Sequence, residues 1–186
     1  MRKLISFTLY GDDPKYIEGM YRNLELKEQF YPDWEIIIYH DNSLSPQTTE
    51  RLASDGALLR NVEGCGILAS LWRFLAHDEP DVTRFIVRDS DSRLSQREAD
   101  AVSDWERSGQ LLHIMRDHPH HGYPMLGGMW GMVKLPAQYL ARKFVGAEDS
   151  ITSLCVRYSR PRFVSSDMTQ RDNWWMVDMH FLRDII

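Results

Sequence analysis

The sequence predicts an α/β fold in which helices flank a mostly parallel β-sheet. Short apolar runs alternate with segments of helical periodicity through the first half of the chain, as they do in parallel sheets covered by helices. Several of these runs stop abruptly at aspartate or glycine. The chain has 186 residues, of which 43% are hydrophobic, so it can form one domain with a sizeable core.

Four apolar runs in the first half are predicted as strands. They cover about residues 4–10, 34–40, 57–59 and 85–87. The first helix is predicted to begin at Asp13-Pro14, because aspartate suits an N-cap and proline suits the first helical position. It continues through residues at helical spacing, Ile17, Met20, Tyr21 and Leu24. A second helix opens at Ser45-Pro46, and a third is predicted from the stripe Leu68, Leu71, Trp72 and Leu75.

The second half of the chain is less regular. Ser95 and Glu98 form a capping box, which predicts a helix from there to about Trp105. A strand over 111–115 and a helix over 137–144 are expected, and no element is assigned to 146–175. We therefore expect a small irregular C-terminal region.

Composition bounds the function. A net charge of −5 and a pI of about 5.8 argue against nucleic acid or an anionic membrane as partner. No basic region followed by an apolar region opens the sequence, and no apolar run is long enough to span a bilayer, so neither a signal peptide nor a membrane span is expected. Cys65 and Cys155 lack metal-ligand spacing, so a reduced, cytoplasmic protein is expected.

Two aspartates directly follow the predicted strand at 85–87. In an extended chain, Asp89 and Asp91 would emerge on the same side, roughly 7 Å apart. Such a pair can hold one hard cation and leave its other positions to phosphate oxygens. The alternative is a solvated turn, because Asp and Ser are ordinary turn residues. The preceding strand and the flanking arginines favour a metal–nucleotide site.

Polar residues at other predicted strand ends could line the same crevice, since open α/β sheets bind ligands there. The candidates for binding a nucleotide donor in this crevice are Thr8, Tyr10, Gly11, Asp41, Arg73, Arg88 and Asp89. Asp41 would contact the base or ribose of a nucleotide, and the two arginines would contact phosphate. A surface ion pair is the alternative for each arginine.

Two further segments suggest an acceptor side. Four of the seven histidines lie within 113–121, where Asp117 or a histidine such as His118 could take a proton from a hydroxyl. A zinc site and a plain polar loop are the alternatives, although adjacent histidines do not have zinc-motif spacing. In the segment 126–133, Gly127, Gly128 and Trp130 could contact a sugar ring, or could form a tight turn into a buried strand.

Together these motifs resemble the GT-A glycosyltransferases of the nucleotide-diphospho-sugar transferase superfamily. The likeness covers about residues 4–135 and rests on Val87-Arg88-Asp89-Ser90-Asp91 and on His-Ile-Met-Arg-Asp-His-Pro and Gly-Gly-Met-Trp-Gly segments typical of bacterial members. It implies a Rossmann-like fold and Mn²⁺ or Mg²⁺ at the Asp-x-Asp motif. Residues 178–182 look like the family's Asp-Gln-x-Phe-Leu segment, with Met179 in place of glutamine. Asp178 is therefore a catalytic candidate beside Asp117, and His180 could be a third metal ligand.

The resemblance implies a single domain over 1–186, with a nucleotide-binding half at 1–94 and an acceptor half at 95–186 that looks short at its C-terminus. The expected function is metal-dependent transfer of a sugar from a nucleotide diphosphate donor to a saccharide or other hydroxyl acceptor. Two alternatives stay open. One is a nucleotidyltransferase, although Tyr10-Gly11-Asp12-Asp13 is acidic where such enzymes need a basic glycine-rich loop. The other is a non-catalytic nucleotide-sugar-binding subunit. The sequence gives no oligomeric state.

Overall fold

A single mixed sheet organises the computed structural model, which describes residues 2–116, 119, 125–136, 150–159, 178–179 and 181–182. Its strands are β1 (Arg2–Leu9), β2 (Glu35–His40), β3 (Leu58–Asn61), β4 (Val82–Val87), β5 (Leu112–Ile114) and β6 (Trp130–Val133). Their order is β3-β2-β1-β4-β6-β5. The first four strands run parallel to one another, while β6 is antiparallel to both β4 and β5. The predicted α/β fold with a mostly parallel sheet is confirmed.

Helices cover both faces of this sheet. They are α1 (Pro14–Phe30), α2 (Pro46–Ser54), α3 (Ala69–Trp72), a 3-10 helix (Arg73–Asp78), α4 (Gln96–Ser108) and α5 (Ile151–Tyr158). The predicted caps are confirmed: side chains of Asp13, Ser45 and Ser95 accept backbone N–H groups in the first turns of α1, α2 and α4. The helix predicted over 137–144 lies outside the described residues. Within the described residues, no helix combines the length and apolarity needed to cross a bilayer.

The third predicted helix is shorter than its periodicity suggests. After four residues, α3 gives way to the 3-10 helix, and side chains of β1 explain why. Thr8 Oγ1 donates to the Ala69 carbonyl at 3.1 Å, and Ser6 Oγ donates to the Arg73 carbonyl at 2.6 Å. Both carbonyls are thus drawn to the strand, which favours the tighter turn over a continued α-helix.

Alternate residues of the parallel strands build two apolar clusters, one on each face of the sheet. One cluster contains Leu4, Ile37, Phe85 and Val87 and packs under α3, the 3-10 helix and α5. The other contains Ile5, Phe7, Ile38 and Ile86 and packs under α1, α2 and α4.

Trp130 belongs to this core and is not the exposed sugar platform that the sequence suggested. Its side chain is 2% exposed, and its ring meets Phe74 and Phe85 edge-on at centroid distances of 5.2 and 5.4 Å. The alternative of a turn into a buried strand is therefore right, because Trp130 opens β6 and pairs with Val87 in the middle of the sheet.

Replacing Trp130 with alanine should lower the free energy of unfolding by about 3–5 kcal/mol, because the change leaves a large cavity among aromatic rings. Urea denaturation would measure this. Leu111→Ala is the control, since Leu111 is 51% exposed and its truncation should change stability by less than about 0.5 kcal/mol. A Trp130→Ala protein as stable as the wild type would return the ring to a binding role.

Candidate active site

The site lies at the edge of the sheet where the parallel strands end. The carboxyl ends of β1, β2 and β4 meet at this edge, and they carry Thr8 to Gly11, Asp41 and Asp89 respectively. Because β6 is antiparallel to β4, the residues that precede β6 arrive at the same edge. Gly128 therefore lies beside Asp89, and Gly127 lies beside Arg73 and Asp178, although they are distant in sequence.

Arg73 is at the centre of this edge. Its guanidinium is buried and forms ion pairs with two carboxylates, Asp89 through Nη1 and Asp178 through Nη2, the latter at 3.0 Å. The backbone N–H of Arg73 donates to Thr8 Oγ1 at 3.1 Å. The hydroxyl of Thr8, a predicted donor-binding group, thus helps to place Arg73 and also holds the turn after α3.

One cation shared by two carboxylates leaves this three-residue group with an excess of negative charge. Burial alone would disfavour the charged guanidinium, but Asp89 and Asp178 outweigh it and raise the pKa of Arg73. Burial raises the pKa of Asp178, against the opposing effects of Arg73 and of the Met179 N–H that its carboxylate accepts. For Asp178, the unfavourable effect of burial on the charged carboxylate therefore exceeds the favourable effect of its partners.

The two glycines allow the backbone to lie directly against these charged groups. A Cβ on Gly128 would be 2.0 Å from Asp89 Oδ2, and one on Gly127 would be 2.0 Å from Asp178 Oδ2. Either side chain would displace a carboxylate. The predicted role of both glycines was acceptor binding, whereas their contacts are with the carboxylates and with Arg73.

Asp178 is held in place by apolar contacts of its neighbours. Residues 178–179 and 181–182 are helical, and Phe181 packs against Phe74 and Tyr158 with both centroid distances at 5.2 Å. The structure thus brings this catalytic candidate to Asp89, across 89 positions of sequence. The third proposed metal ligand, His180, lies outside the described residues.

Asp91 does not follow Asp89 in an extended chain, as the sequence analysis expected. The strand ends at Val87, and Ser92 N–H donates to the Asp89 carbonyl at 3.0 Å, which closes a turn. The two carboxylates therefore take different partners. Asp91 Oδ2 accepts from Lys15 Nζ at 2.6 Å, whereas Asp89 pairs with Arg73.

The carboxylates of this edge suit a small divalent cation that arrives with its own oxygen ligands. Within the described residues, no three His, Cys, Asp or Glu side chains are grouped as a metal site. Mg²⁺ needs only one or two carboxylates when phosphates and water complete its shell, and Mn²⁺ accepts the same ligands. Asp89 and Asp91 provide two partly exposed carboxylates, and the nearby Asp178 adds a third negative charge that Arg73 alone does not balance.

Asp41 and Gly11 are joined through a serine that sequence reasoning did not single out. Gly11 N–H donates to Ser43 Oγ at 2.6 Å, and the Ser43 hydroxyl and N–H both donate to Asp41 Oδ1. Tyr10 is 55% exposed beside them, edge-on to Trp72. Three predicted donor-binding residues thus lie together at the ends of β1 and β2.

Arg88 is not placed to bind phosphate. It is 1% exposed, its Nη1 donates to the carbonyls of Val87 and Trp130, and its Nε is 3.3 Å from Glu98 Oε1 on α4. The prediction failed because neighbouring residues at the strand end point to opposite faces, so Arg88 enters the core under α4 while Asp89 meets Arg73.

The histidine-rich segment is described only at its beginning. His113 is buried in β5 and stacks on Trp105 at a centroid distance of 5.4 Å. Burial, with Arg88 nearby, lowers the pKa of His113 to about 4, so this ring is neutral and part of the core. Asp117 and His118, the general-base and acceptor candidates, lie outside the described residues.

Three residues of α1 contact the Asp-x-Asp turn and were missed by sequence reasoning: Lys15, Gly19 and Asn23. Two signals could have found them. Glycine and asparagine inside a helix are unfavourable, which indicates a packing reason, and the three residues repeat every fourth position.

Comparisons with known proteins support the fold. No protein-family model matches the sequence, and no curated protein matches it. Among solved structures, the mannosyltransferase PcManGT from Pyrobaculum calidifontis, in complex with GDP-Man and Mn²⁺, is similar with a TM-score of 0.55 and 18% identity, over 83% of this chain and 51% of that one. S. aureus TarS 1–349 has a TM-score of 0.55 at 11% identity, and at 12% in its complex with UDP, over 86% of this chain and 55% of that one.

The chain therefore spans about half the length of these structures. At such identities the likeness shows the fold alone, which is the GT-A-like α/β fold that this chain shares with these structures. The expectation drawn from the sequence motifs is confirmed at that level.

Arg73→Met should lower the free energy of unfolding by about 3–5 kcal/mol, because it leaves the buried Asp178 carboxylate without its cation. Urea denaturation of Arg73→Met, Asp178→Asn and the double variant forms a double-mutant cycle. The double variant should be more stable than the sum of the two losses predicts, by about 1 kcal/mol or more. Additive losses would mean that the two side chains do not interact.

Proposed function

We propose that this protein transfers a sugar from a nucleotide diphosphate donor to a hydroxyl acceptor with the help of Mn²⁺ or Mg²⁺. The observation that carries the proposal is the gathering of Asp89, Asp91 and Asp178 at the carboxyl edge of a GT-A-like sheet, with Asp41 and Gly11 at neighbouring strand ends. Ligands of open α/β sheets bind in this position. One fold neighbour is a mannosyltransferase in complex with GDP-Man and Mn²⁺, and another is a structure in complex with UDP, which supports the same assignment.

The nucleoside of the donor is assigned to the ends of β1 and β2. There the Asp41 carboxylate can accept a hydrogen bond from a ribose hydroxyl or a base, because only one of its oxygens serves Ser43. The ring of Tyr10 is exposed beside it and offers a face for stacking. The diphosphate would then lie toward β4, where the carboxylate pair is.

Asp89 and Asp91 are the residues assigned to the cation. When bound, the ion would neutralise the charge that develops on the leaving nucleoside diphosphate. Arg73, buried beside Asp89, keeps that carboxylate in one orientation. His180 is proposed as a further ligand because the family resemblance implies a histidine near the C-terminus that completes the metal shell.

Two carboxylates are candidates for accepting the proton of the acceptor hydroxyl. The raised pKa of Asp178 brings it closer to the range in which a base works well, and it lies next to Asp89. Asp117 is the second candidate and is proposed from sequence alone, together with His118 as an acceptor contact. An inverting reaction would use one of them as general base.

One feature favours a second candidate function, namely a nucleotide-sugar-binding protein without catalysis. Arg73 engages both Asp89 and Asp178, so neither carboxylate is free of an ion pair. Such a protein would bind the donor in a metal-dependent way and release no nucleoside diphosphate in the presence of acceptors. A nucleotidyltransferase would instead release pyrophosphate.

A panel of nucleotide sugars with and without Mn²⁺, followed by detection of nucleoside diphosphate, tests for sugar transfer. A parallel panel of nucleoside triphosphates with sugar phosphates, followed by detection of pyrophosphate, tests for nucleotidyl transfer. In the variant Asp91→Asn, metal-dependent binding of nucleoside diphosphate should fall about tenfold or more, while the melting temperature barely changes, because an exposed carboxylate ligand is lost with little change of shape. Calorimetry would measure the affinity. Asp104→Asn removes an exposed carboxylate from α4 and serves as control. Unchanged metal-dependent affinity in Asp91→Asn would contradict the assignment.

Asp41→Ala should weaken nucleoside diphosphate binding about ten- to a hundredfold, equally with and without Mn²⁺, because a hydrogen bond to a charged group is lost at the nucleoside. Ser43→Ala is the matched control, since it disturbs the same loop and leaves the Asp41 carboxylate in place. A loss seen only with metal would place Asp41 at the cation. An equal loss in Ser43→Ala would show that Asp41 acts through the loop.

A further inference from the structure

One face of α1 contacts the loop that carries both aspartates. The residues that make the contacts are Lys15, Gly19 and Asn23, spaced four apart and therefore aligned along the helix. The loop, residues 89–94, is called here the carboxylate loop. Three kinds of contact join this loop to the helix face: hydrogen bonds to the loop backbone, close packing against a backbone carbonyl, and an ion pair.

Asn23 holds the backbone of the carboxylate loop at two points. It is fully buried, its Nδ2 donates to the Ser92 carbonyl at 2.9 Å, and its Oδ1 accepts the Leu94 N–H at 3.1 Å. Both ends of the amide are thus used by the loop. A buried asparagine whose amide bonds to one loop at both ends fixes the position of that loop relative to the helix.

Gly19 brings the same loop into direct contact with the helix. A Cβ at this position would lie 2.3 Å from the Ser90 carbonyl oxygen, which is a backbone atom and cannot swing aside. Ser90 stands between the two aspartates, so the absent side chain at Gly19 determines how closely the Asp-x-Asp turn approaches α1.

Lys15 meets the loop differently, because its contact is reversible. Its Nζ is 2.6 Å from Asp91 Oδ2, yet its side chain is 58% exposed, and exposed ion pairs are weak. Arg73, by contrast, is buried against Asp89 and bonded to a second carboxylate. Among the described residues, Lys15 and Arg73 are the cations that form ion pairs with Asp91 and Asp89, and Lys15 is the one that can leave.

We infer that Lys15 is an exchangeable counter-ion of Asp91 that a divalent cation displaces, and that Gly19 and Asn23 hold Asp91 where both cations meet it. Lys15 is thereby a residue that tunes metal affinity by competition, and Gly19 and Asn23 are positioning residues. The exchange rests on the proposed function, since it takes Asp91 as a metal ligand. The positioning by Gly19 and Asn23 does not depend on it.

The exchange is tested by titrating the full chain with Mn²⁺, alone and with UDP or GDP, while free Mn²⁺ is followed by electron paramagnetic resonance. Lys15→Met should tighten Mn²⁺ binding by roughly two- to fivefold, the range expected when an exposed ion pair no longer competes. Arg22→Met removes the same charge from an exposed position of α1, where Arg22 pairs with Glu25, and should change the dissociation constant less.

The positioning role is tested without any ligand, by hydrogen exchange at the Leu94 amide. Gly19→Ala should speed the hydrogen exchange of this amide, because the new methyl group displaces the loop. In a separate titration, the same variant should weaken Mn²⁺ binding roughly ten- to a hundredfold, as losses around a metal ligand do. Alanine favours the helix itself, so α1 should stay intact. Gln29→Ala, at an exposed position of the same helix, is the control. Asn23→Ala removes both loop hydrogen bonds without a clash and should act in the same direction.

The outcomes separate the inference from the proposed function. Wild-type protein that takes up no Mn²⁺ with any probe overturns the proposed function together with the exchange. If the wild-type protein binds Mn²⁺ and Lys15→Met leaves that affinity unchanged or weakens it, only the proposed displacement of Lys15 by the metal is overturned. Wild-type exchange rates at Leu94 in both Gly19→Ala and Asn23→Ala overturn the positioning role.

Discussion

A buried guanidinium between two carboxylates is the constraint on which this site depends. Removing an arginine from water is unfavourable unless its charge is met, and Asp89 and Asp178 meet the charge of Arg73 at Nη1 and Nη2 from distant parts of the sequence. The carboxylates can approach because Gly127 and Gly128 have no side chains to block them. The turn that carries Arg73 is fixed in turn by Ser6 and Thr8 of β1. Sheet, turn and C-terminal segment thus converge on one cation.

The same arrangement explains how the Asp-x-Asp motif can be ordered before any ligand binds. Asp89 is tied to a buried partner and Asp91 to an exposed one, so the motif combines a fixed carboxylate with an exchangeable one. The backbone between them is held by α1 and does not have to be ordered at the moment of binding. Such preorganisation reduces the entropy that binding would otherwise lose.

The sequence predicted the parts of this structure that follow from local chemistry. Strands end where apolar runs end, and the caps at Asp13, Ser45 and Ser95 lie where the residue types indicated. It also placed Asp41 and Asp89 at the same edge, because parallel strands share a direction. The direction of side chains beyond the end of a strand was harder to predict from the sequence. Arg88 is buried in the core and Trp130 in the sheet, because Arg88 bonds the Trp130 carbonyl and Trp130 packs on Phe74, and these partners are far apart in the chain. The sequence analysis used the apolar stripe of α1 and overlooked the weaker pattern formed by Lys15, Gly19 and Asn23 on the same helix.

A crystal structure with Mn²⁺ and a nucleoside diphosphate would test the central claim most directly, with anomalous diffraction to locate the metal. We expect a manganese peak bound by Asp89, Asp91 and diphosphate oxygens, with the nucleoside beside Asp41. Arg73 should still lie between Asp89 and Asp178, and Lys15 should be turned away from Asp91. A nucleotide bound at another edge of the sheet would contradict the account. So would a metal that binds while Lys15 remains paired with Asp91.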